Sequence, residues 1–120
     1  ADDAASGFAF IDLCRKHYDA VLMNPPFGES AAGAKQYIAD EYPRTKNDLA
    51  AAFIEMALKR LESGGSVGAI TTRTIFFLSS HTKFREEIML KEARPVVFAD
   101  LGFGVLDAMV ETAAYVVEKA

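Results

Sequence analysis

Four consecutive residues, Asn24, Pro25, Pro26 and Phe27, combine groups suited to holding an exocyclic amine. Such an amine is a poor nucleophile because its lone pair is delocalised into the ring. A site that accepts hydrogen bonds from both N–H groups favours the form of the amine whose lone pair is free to attack. The side-chain oxygen of Asn24 is one expected acceptor, and the carbonyl oxygen of Pro25 is the other. Phe27 offers a flat face on which a base could stack, worth roughly 1–3 kcal/mol. The tetrapeptide therefore predicts a catalytic site for amine chemistry.

The residues before this tetrapeptide predict a buried strand that stops at it. Residues 20–23 are continuously apolar, too short for a helix and bounded by turn formers, as in a strand covered on both faces. Pro25 and Pro26 fix φ near about −65° and lack an N–H, so pairing in the sheet ends there. Asn24 precedes a proline and is pushed out of the helical region. The result is a stiff corner at the carboxyl end of a strand, where open α/β sheets place their ligands.

The segment downstream of the corner predicts a crossover unit. A helix is expected over residues 48–63, with Asn47 or Asp48 as its N-cap and a Gly-Gly pair at its C-terminus. Residues 66–72 are expected to form the next strand. A strand, a helix and a strand in this order predict two parallel strands.

The remaining sequence alternates between helical and extended patterns. Thr82 is expected to cap a helix, and a short connection allows the last two strands to pair antiparallel. Phe8, Phe10 and Cys14 of the first helix are expected to be buried. The further predicted elements are helices over 8–17, 34–42 and 83–91, strands over 96–101 and 112–118, and a loop over 102–107.

Length and composition limit the possible classes of protein. The chain has 120 residues, of which 51% are hydrophobic and 25% charged, as expected of one globular domain. No apolar run approaches the roughly 20 residues needed to span a membrane. The single Cys14 cannot form an internal disulfide, which indicates a reducing compartment and predicts a cytoplasmic location.

The charge of the chain counts against a large nucleic-acid footprint. The formal net charge is −4, although a local basic rim remains compatible with that value. Basic residues in loops on the expected active face could form such a rim, or could be scattered solvated charges. These residues are Lys35, Arg44, Lys46, Arg73, His81, Lys83 and Arg85.

Three stretches of this sequence resemble one enzyme family. Asn-Pro-Pro-Phe after a strand resembles the catalytic motif of amino methyltransferases that use S-adenosylmethionine, especially adenine-specific DNA methyltransferases. The helix at residues 48–63, followed by Gly-Gly and a strand, resembles the same family. Residues 100–115 resemble multi-domain adenine methyltransferases of restriction-modification and phage-defence systems, including the BREX type. The resemblance implies an α/β class, as a partial Rossmann-like class I methyltransferase fold of about four strands, the last antiparallel, with flanking helices.

The resemblance also implies roles for individual residues. Asn24, Pro25, Pro26 and Phe27 would be catalytic. Asp48 and Leu49 would border the pocket for the adenine of S-adenosylmethionine, although Asp48 serves equally well as a helix cap. No metal site is predicted. The implied substrate contacts, with DNA as the partner, are Phe27, Phe103, Lys46 and Arg73.

The chain matches the target-base half of the family's catalytic domain. The Gly-rich turn that approaches the cofactor is absent, so we expect residues 1–120 to be a single partial domain that is inactive alone. The strand at residues 20–23 would then lie at a sheet edge, which predicts a homodimer through that edge, or a monomer prone to association. The alternatives are a methyltransferase acting on an RNA base amine or a protein glutamine amide, and a non-catalytic scaffold half-domain.

Overall fold

A mixed sheet of four strands organises the chain, and the computed structural model describes residues 2–106 and 110–120. The strand order is β1-β2-β4-β3, with β1 and β2 parallel and β4 antiparallel to both of its neighbours. The predicted α/β class, the crossover unit and the antiparallel last strand are therefore confirmed. Asp107, the last residue of the predicted loop, lies outside the described residues. The strands are β1 (Tyr18–Met23), β2 (Leu61–Thr72), β3 (Ala93–Gly102) and β4 (Thr112–Lys119).

Helical segments precede or connect these strands, and each predicted helix is present with shifted ends. None of the helices in the described part of the chain is long and apolar enough to cross a membrane. The helices are α1 (Asp2–Arg15), α2 (Lys35–Glu41), α3 (Leu49–Arg60) and a π-helix (Phe84–Glu92), with 3-10 turns at Arg73–Phe76 and Ser79–His81.

The hydrophobic core lies on one face of the sheet. Helix α3 and the π-helix cover that face, burying Ile54 and Phe84 against Val67 and Tyr115 of the two central strands. Strand β1 is an edge strand, and its Leu22 is 86% exposed. The prediction that this strand is covered on both faces is therefore wrong, because the described helices cover a single face.

Helix α3 ends earlier than the glycine pair predicts. Its last residue is Arg60, and Leu61 is already extended, with a side chain that is buried in the core. The ammonium group of Lys119 donates to the carbonyl oxygen of Leu61 at 2.9 Å. Burial of Leu61 therefore ends the helix before the Gly64-Gly65 pair that was expected to end it. Gly64 lies within β2 instead, with a φ of +80° that favours glycine.

Two other predictions from local pattern are wrong. Phe8, Phe10 and Cys14 are exposed on α1, because that helix packs no side chain into the core. Thr82 does not cap the π-helix. Its backbone is already helical, and its hydroxyl donates to the carbonyl oxygen of Ser79 at 2.7 Å.

Candidate active site

The corner after β1 presents Asn24 to solvent. Asn24, Pro26 and Phe27 are exposed, whereas Pro25 is buried and anchors the corner. No described residue makes a hydrogen bond to the Asn24 side chain, so its amide oxygen is available to a ligand. The corner thus combines the end of an extended strand, two consecutive prolines and an exposed asparagine, and the catalytic roles of Asn24, Pro25, Pro26 and Phe27 stay predictions.

A backbone hydrogen bond ties this corner to the start of helix α3. The N–H of Leu49 donates to the carbonyl oxygen of Gly28 at 2.8 Å. The Asp48 carboxylate accepts the N–H of Ala50 at 2.8 Å, which confirms Asp48 as the N-cap. Gly28 has a φ of +89°, which an L side chain rarely adopts. The Asn24–Phe27 corner is thus fixed to the N-terminus of α3.

Asp48 and His81 are both buried, and the charge of each affects the pKa of the other. Their exposed fractions are 7% and 4%. Burial raises the pKa of Asp48 above its ordinary value, opposed by the hydrogen bond from Ala50 and by the charge of His81. Burial lowers the pKa of His81, opposed by Asp48 and reinforced by Arg85. Burial therefore favours the neutral form of each side chain.

The loop that follows the corner is anchored by a buried glutamate. The Glu55 side chain is 4% exposed on α3 and accepts the hydroxyl of Thr45 at 2.8 Å and the guanidinium of Arg44 at 2.9 Å. Arg44 also donates to Glu92 at 2.6 Å, which lowers the pKa of that carboxyl. This network joins the loop to α3 and to the end of the π-helix.

Several residues of the predicted basic rim have structural partners. Arg73 pairs with Glu111 at 2.6 Å and with Asp100 at 3.0 Å. Arg85 donates to the carbonyl oxygens of Ile75 and Leu78. Arg73 and Arg85 thus fasten the loops at the carboxyl edge of the sheet, whereas Arg44 is bound to Glu55 and Glu92. The roles predicted for Arg73 and Lys46 in substrate binding stay predictions.

Asn24 and Phe103 line different cavities. Asn24 lies at the end of an open, largely apolar trough of about 540 Å³ on the uncovered sheet face, which Leu22, Ile70 and Val97 also line. Phe103 is 64% exposed and lines a cavity of about 440 Å³ with Arg73. The structure therefore places both aromatic rings, Phe27 and Phe103, at the carboxyl edge of the sheet without joining them in one cavity.

Sequence reasoning missed three residues of this site. Gly28 fixes the corner, Glu55 anchors the loop, and Ser30 is buried at a cavity beside Phe27. The position of Glu55, among the apolar residues of α3, was the one local signal that a buried polar network could be present. Leu49, which binds Gly28, and Lys46, which shares the cavity with Ser30, lie too far along the chain for a local pattern to show them.

The fold and this corner define a class of protein. The structure is similar to a Listeria monocytogenes protein described as a class I S-adenosylmethionine-dependent methyltransferase, with a TM-score of 0.72, 16% identity, and 88% of this chain and 32% of that chain covered. It is also similar to the M protein of the type I restriction enzyme EcoKI, with a TM-score of 0.65, 19% identity, and 88% and 21% covered. The chain has the class I methyltransferase fold.

The family follows from the sequence match. The model of the family "Eco57I restriction-modification methylase" matches residues 2–104, and the chain belongs to that family. It is 31% identical over 114 residues to the adenine-specific methyltransferase BrxX of Escherichia coli O9:H4 (strain HS), covering 89% of this chain and 9% of that protein. It is 29% identical over 110 residues to the adenine-specific methyltransferase PglX of Lacticaseibacillus casei (strain Zhang), covering 85% and 9%. The chain thus spans about a tenth of the length of these relatives.

Proposed function

We propose that the protein containing this chain transfers a methyl group from S-adenosylmethionine to the N6 amine of adenine in DNA. The observation that carries the proposal is the solvent-facing Asn24 amide at the rigid end of β1, beside Phe27. Membership in the Eco57I family and similarity to BrxX and PglX, which are adenine-specific methyltransferases, support this substrate. The chain supplies the target-base half of the site.

The chemistry follows from the groups at the corner. An adenine extruded from the duplex places its amine within reach of the Asn24 amide oxygen and the Pro25 carbonyl oxygen, and its ring stacks on Phe27. The two acceptors hold the N–H hydrogens so that the nitrogen lone pair leaves conjugation with the ring. Bound S-adenosylmethionine would supply the methyl group to this lone pair, and the amine would lose one proton to solvent. Acceptors already in place stabilise the positive charge that develops on nitrogen.

The cofactor would be shared with the remainder of the protein. S-adenosylmethionine supplies a methyl group carried on a sulfonium ion. The half-buried Leu49, at the start of α3, offers an apolar surface to an adenine ring. The Asp48 carboxylate is buried and already accepts the N–H of Ala50, so it fits a supporting role better than a ribose contact. These residues fit one wall of the cofactor pocket.

The substrate class is tested by methyl incorporation. The purified full-length protein is incubated with radiolabelled S-adenosylmethionine and with duplex DNA, RNA or a release-factor peptide in separate reactions. Incorporation into N6-methyladenine of DNA supports the proposal. Incorporation into RNA or the peptide alone replaces the substrate, and absence of cofactor binding favours a scaffold role.

Two further proposals concern partners and location. Strand β1 is an edge strand of the described sheet, and its free backbone edge favours pairing with another strand, which we propose comes from a second copy. A monomer by sedimentation velocity at micromolar concentration would contradict this dimer. We place the protein in the cytoplasm, where DNA is available and the exposed Cys14 stays reduced.

A further inference from the structure

A polar cavity of about 460 Å³ lies beside the proposed target-base corner. Ser30 stands on one side of it, shortly after Phe27, and Lys46 and Asn47 stand on the other, just before α3. These segments meet because the Leu49 N–H is bonded to the Gly28 carbonyl at 2.8 Å. The cavity is therefore held at a fixed position relative to the corner.

Ser30 lines this cavity and is 8% exposed. Every fully buried side-chain oxygen or nitrogen among the described residues has a partner. The Ser30 hydroxyl makes no hydrogen bond to the described residues, so its oxygen keeps some contact with open space, which Ser30 borders at this cavity. A nearly buried hydroxyl without a protein partner is a built hydrogen-bond donor for a ligand.

The charges around the cavity favour an anion. Lys46 is exposed and pairs with no carboxylate among the described residues, in contrast to Arg44 and Arg73. Lys35 pairs with Glu29 at 3.4 Å, and their side chains are 58% and 81% exposed, so that pair is weak and rearranges readily.

The side-chain amide of Asn47 is a further hydrogen-bond donor at this cavity, and its present hydrogen bond is weak. The Asn47 amide donates to the Ser80 carbonyl at 3.4 Å, a long bond that a ligand could replace. Lysine, serine and asparagine are the side chains that proteins use to contact nucleic-acid phosphates.

We propose that this cavity binds a backbone phosphate of the DNA strand that carries the extruded adenine, with Ser30 and Lys46 as its main contacts. The inference rests on the proposed function, because it assigns the phosphate next to a base stacked on Phe27. A phosphate held here fixes the register of the strand without reading its sequence. The site would work as a clamp beside the catalytic corner.

The test measures how DNA affinity depends on salt. Full-length wild-type protein and the variants Lys46→Gln and Ser30→Ala are titrated with a labelled duplex of mixed sequence over a series of sodium chloride concentrations. Each neutralised phosphate contributes a slope of about −0.9 in log affinity against log salt, so Lys46→Gln should reduce the slope by about one. Ser30→Ala should weaken binding severalfold with an unchanged slope, because it removes a neutral donor.

The matched control is Lys91→Gln, since Lys91 is also exposed but lies in the π-helix, next to the start of β3 at the opposite edge of the sheet. An equal slope for wild type and Lys46→Gln, or an equal loss in Lys91→Gln, would overturn the clamp. Inorganic phosphate is titrated separately, and displacement of the duplex by phosphate at low concentration would assign the cavity to a free anion and also overturn it.

The methylation assay separates the clamp from the proposed function. If Lys46→Gln lowers the salt slope but the wild-type protein methylates no DNA, the phosphate clamp stands and the proposed activity is wrong. If the wild type methylates DNA but Lys46→Gln leaves the salt slope unchanged, the proposed activity stands and the clamp is wrong.

Discussion

The backbone N–H of Leu49 donates to the carbonyl oxygen of Gly28 at 2.8 Å, and this bond joins the end of the Asn24–Phe27 corner to the first turn of α3. The helix is packed into the core through Ile54 and Leu58. The corner therefore takes its position from the core as well as from its two prolines. A site that must hold an amine between two acceptors benefits from such support, because small displacements of an acceptor weaken a hydrogen bond steeply.

Gly28→Ala should destabilise the protein and lower its activity. Gly28 has a φ of +89°, and no atom lies within 4 Å of the position that an added Cβ would take. The cost is therefore conformational, about 1–2 kcal/mol for a left-handed residue. Melting temperature and methyl incorporation are compared with those of Gly33→Ala, where the space is also open and φ is not left-handed. Equal melting temperatures for the two variants would contradict this account of Gly28.

Glu55→Ala should loosen the loop after the corner. The change removes the partner of the Thr45 hydroxyl and one partner of Arg44, and leaving such groups without partners costs about 1–3 kcal/mol. Faster cleavage of residues 29–47 by a protease, at concentrations that leave the fold intact, measures the effect. Glu62→Ala is the control, because Glu62 is exposed and forms no ion pair among the described residues. A loop that is cleaved no faster in Glu55→Ala than in Glu62→Ala would show that Glu55 is not its anchor.

Stability should fall when the pH is lowered through the range in which a free histidine becomes charged. Burial holds the pKa of His81 below its ordinary value of 6.5, so below that pH the unfolded chain binds more protons than the folded chain. The stability from neutral His81 is complete above pH 6.5 and is lost as the pH falls toward the lowered pKa. The melting temperature of the wild type should therefore decrease from about pH 7.5 to about 5.5 more than that of His81→Gln. Parallel curves for the two proteins would rule out this contribution.

Local patterns were enough to predict the corner and the helix that supports it. The two prolines predict that β1 ends directly before Asn24. The ability of the Asp48 side chain to cap a helix predicts where α3 starts. These features depend on neighbours in sequence. The confirmed fold class has the same origin, since an apolar strand, an amphipathic helix and a second strand leave few arrangements.

The features that failed depend on contacts between distant residues. Leu61 ends α3 because its side chain is buried in the core, which the glycine pair could not indicate. Phe8 and Phe10 were expected inside from their type alone, but α1 has no described surface to cover them. The Ser30 cavity forms when two loops meet, so no window of sequence contains it.

Phe27→Ala should reduce methylation of DNA by about 5- to 150-fold, since stacking contributes roughly 1–3 kcal/mol per base. Phe27 is 40% exposed, so part of its ring is free to contact a base. Phe27→Tyr keeps the aromatic face and should retain most of the activity. Methyl incorporation at saturating cofactor measures the effect, and equal rates for the alanine and tyrosine variants would exclude stacking at Phe27.

The most direct test of the account is Asn24→Ala in the full-length protein, assayed for N6-methyladenine in DNA and for S-adenosylmethionine binding by calorimetry. Because Asn24 is exposed and makes no side-chain hydrogen bond within the described residues, the change should leave the fold and cofactor binding intact. The account predicts that methylation is abolished while cofactor affinity is kept. Wild-type methylation by Asn24→Ala would contradict it.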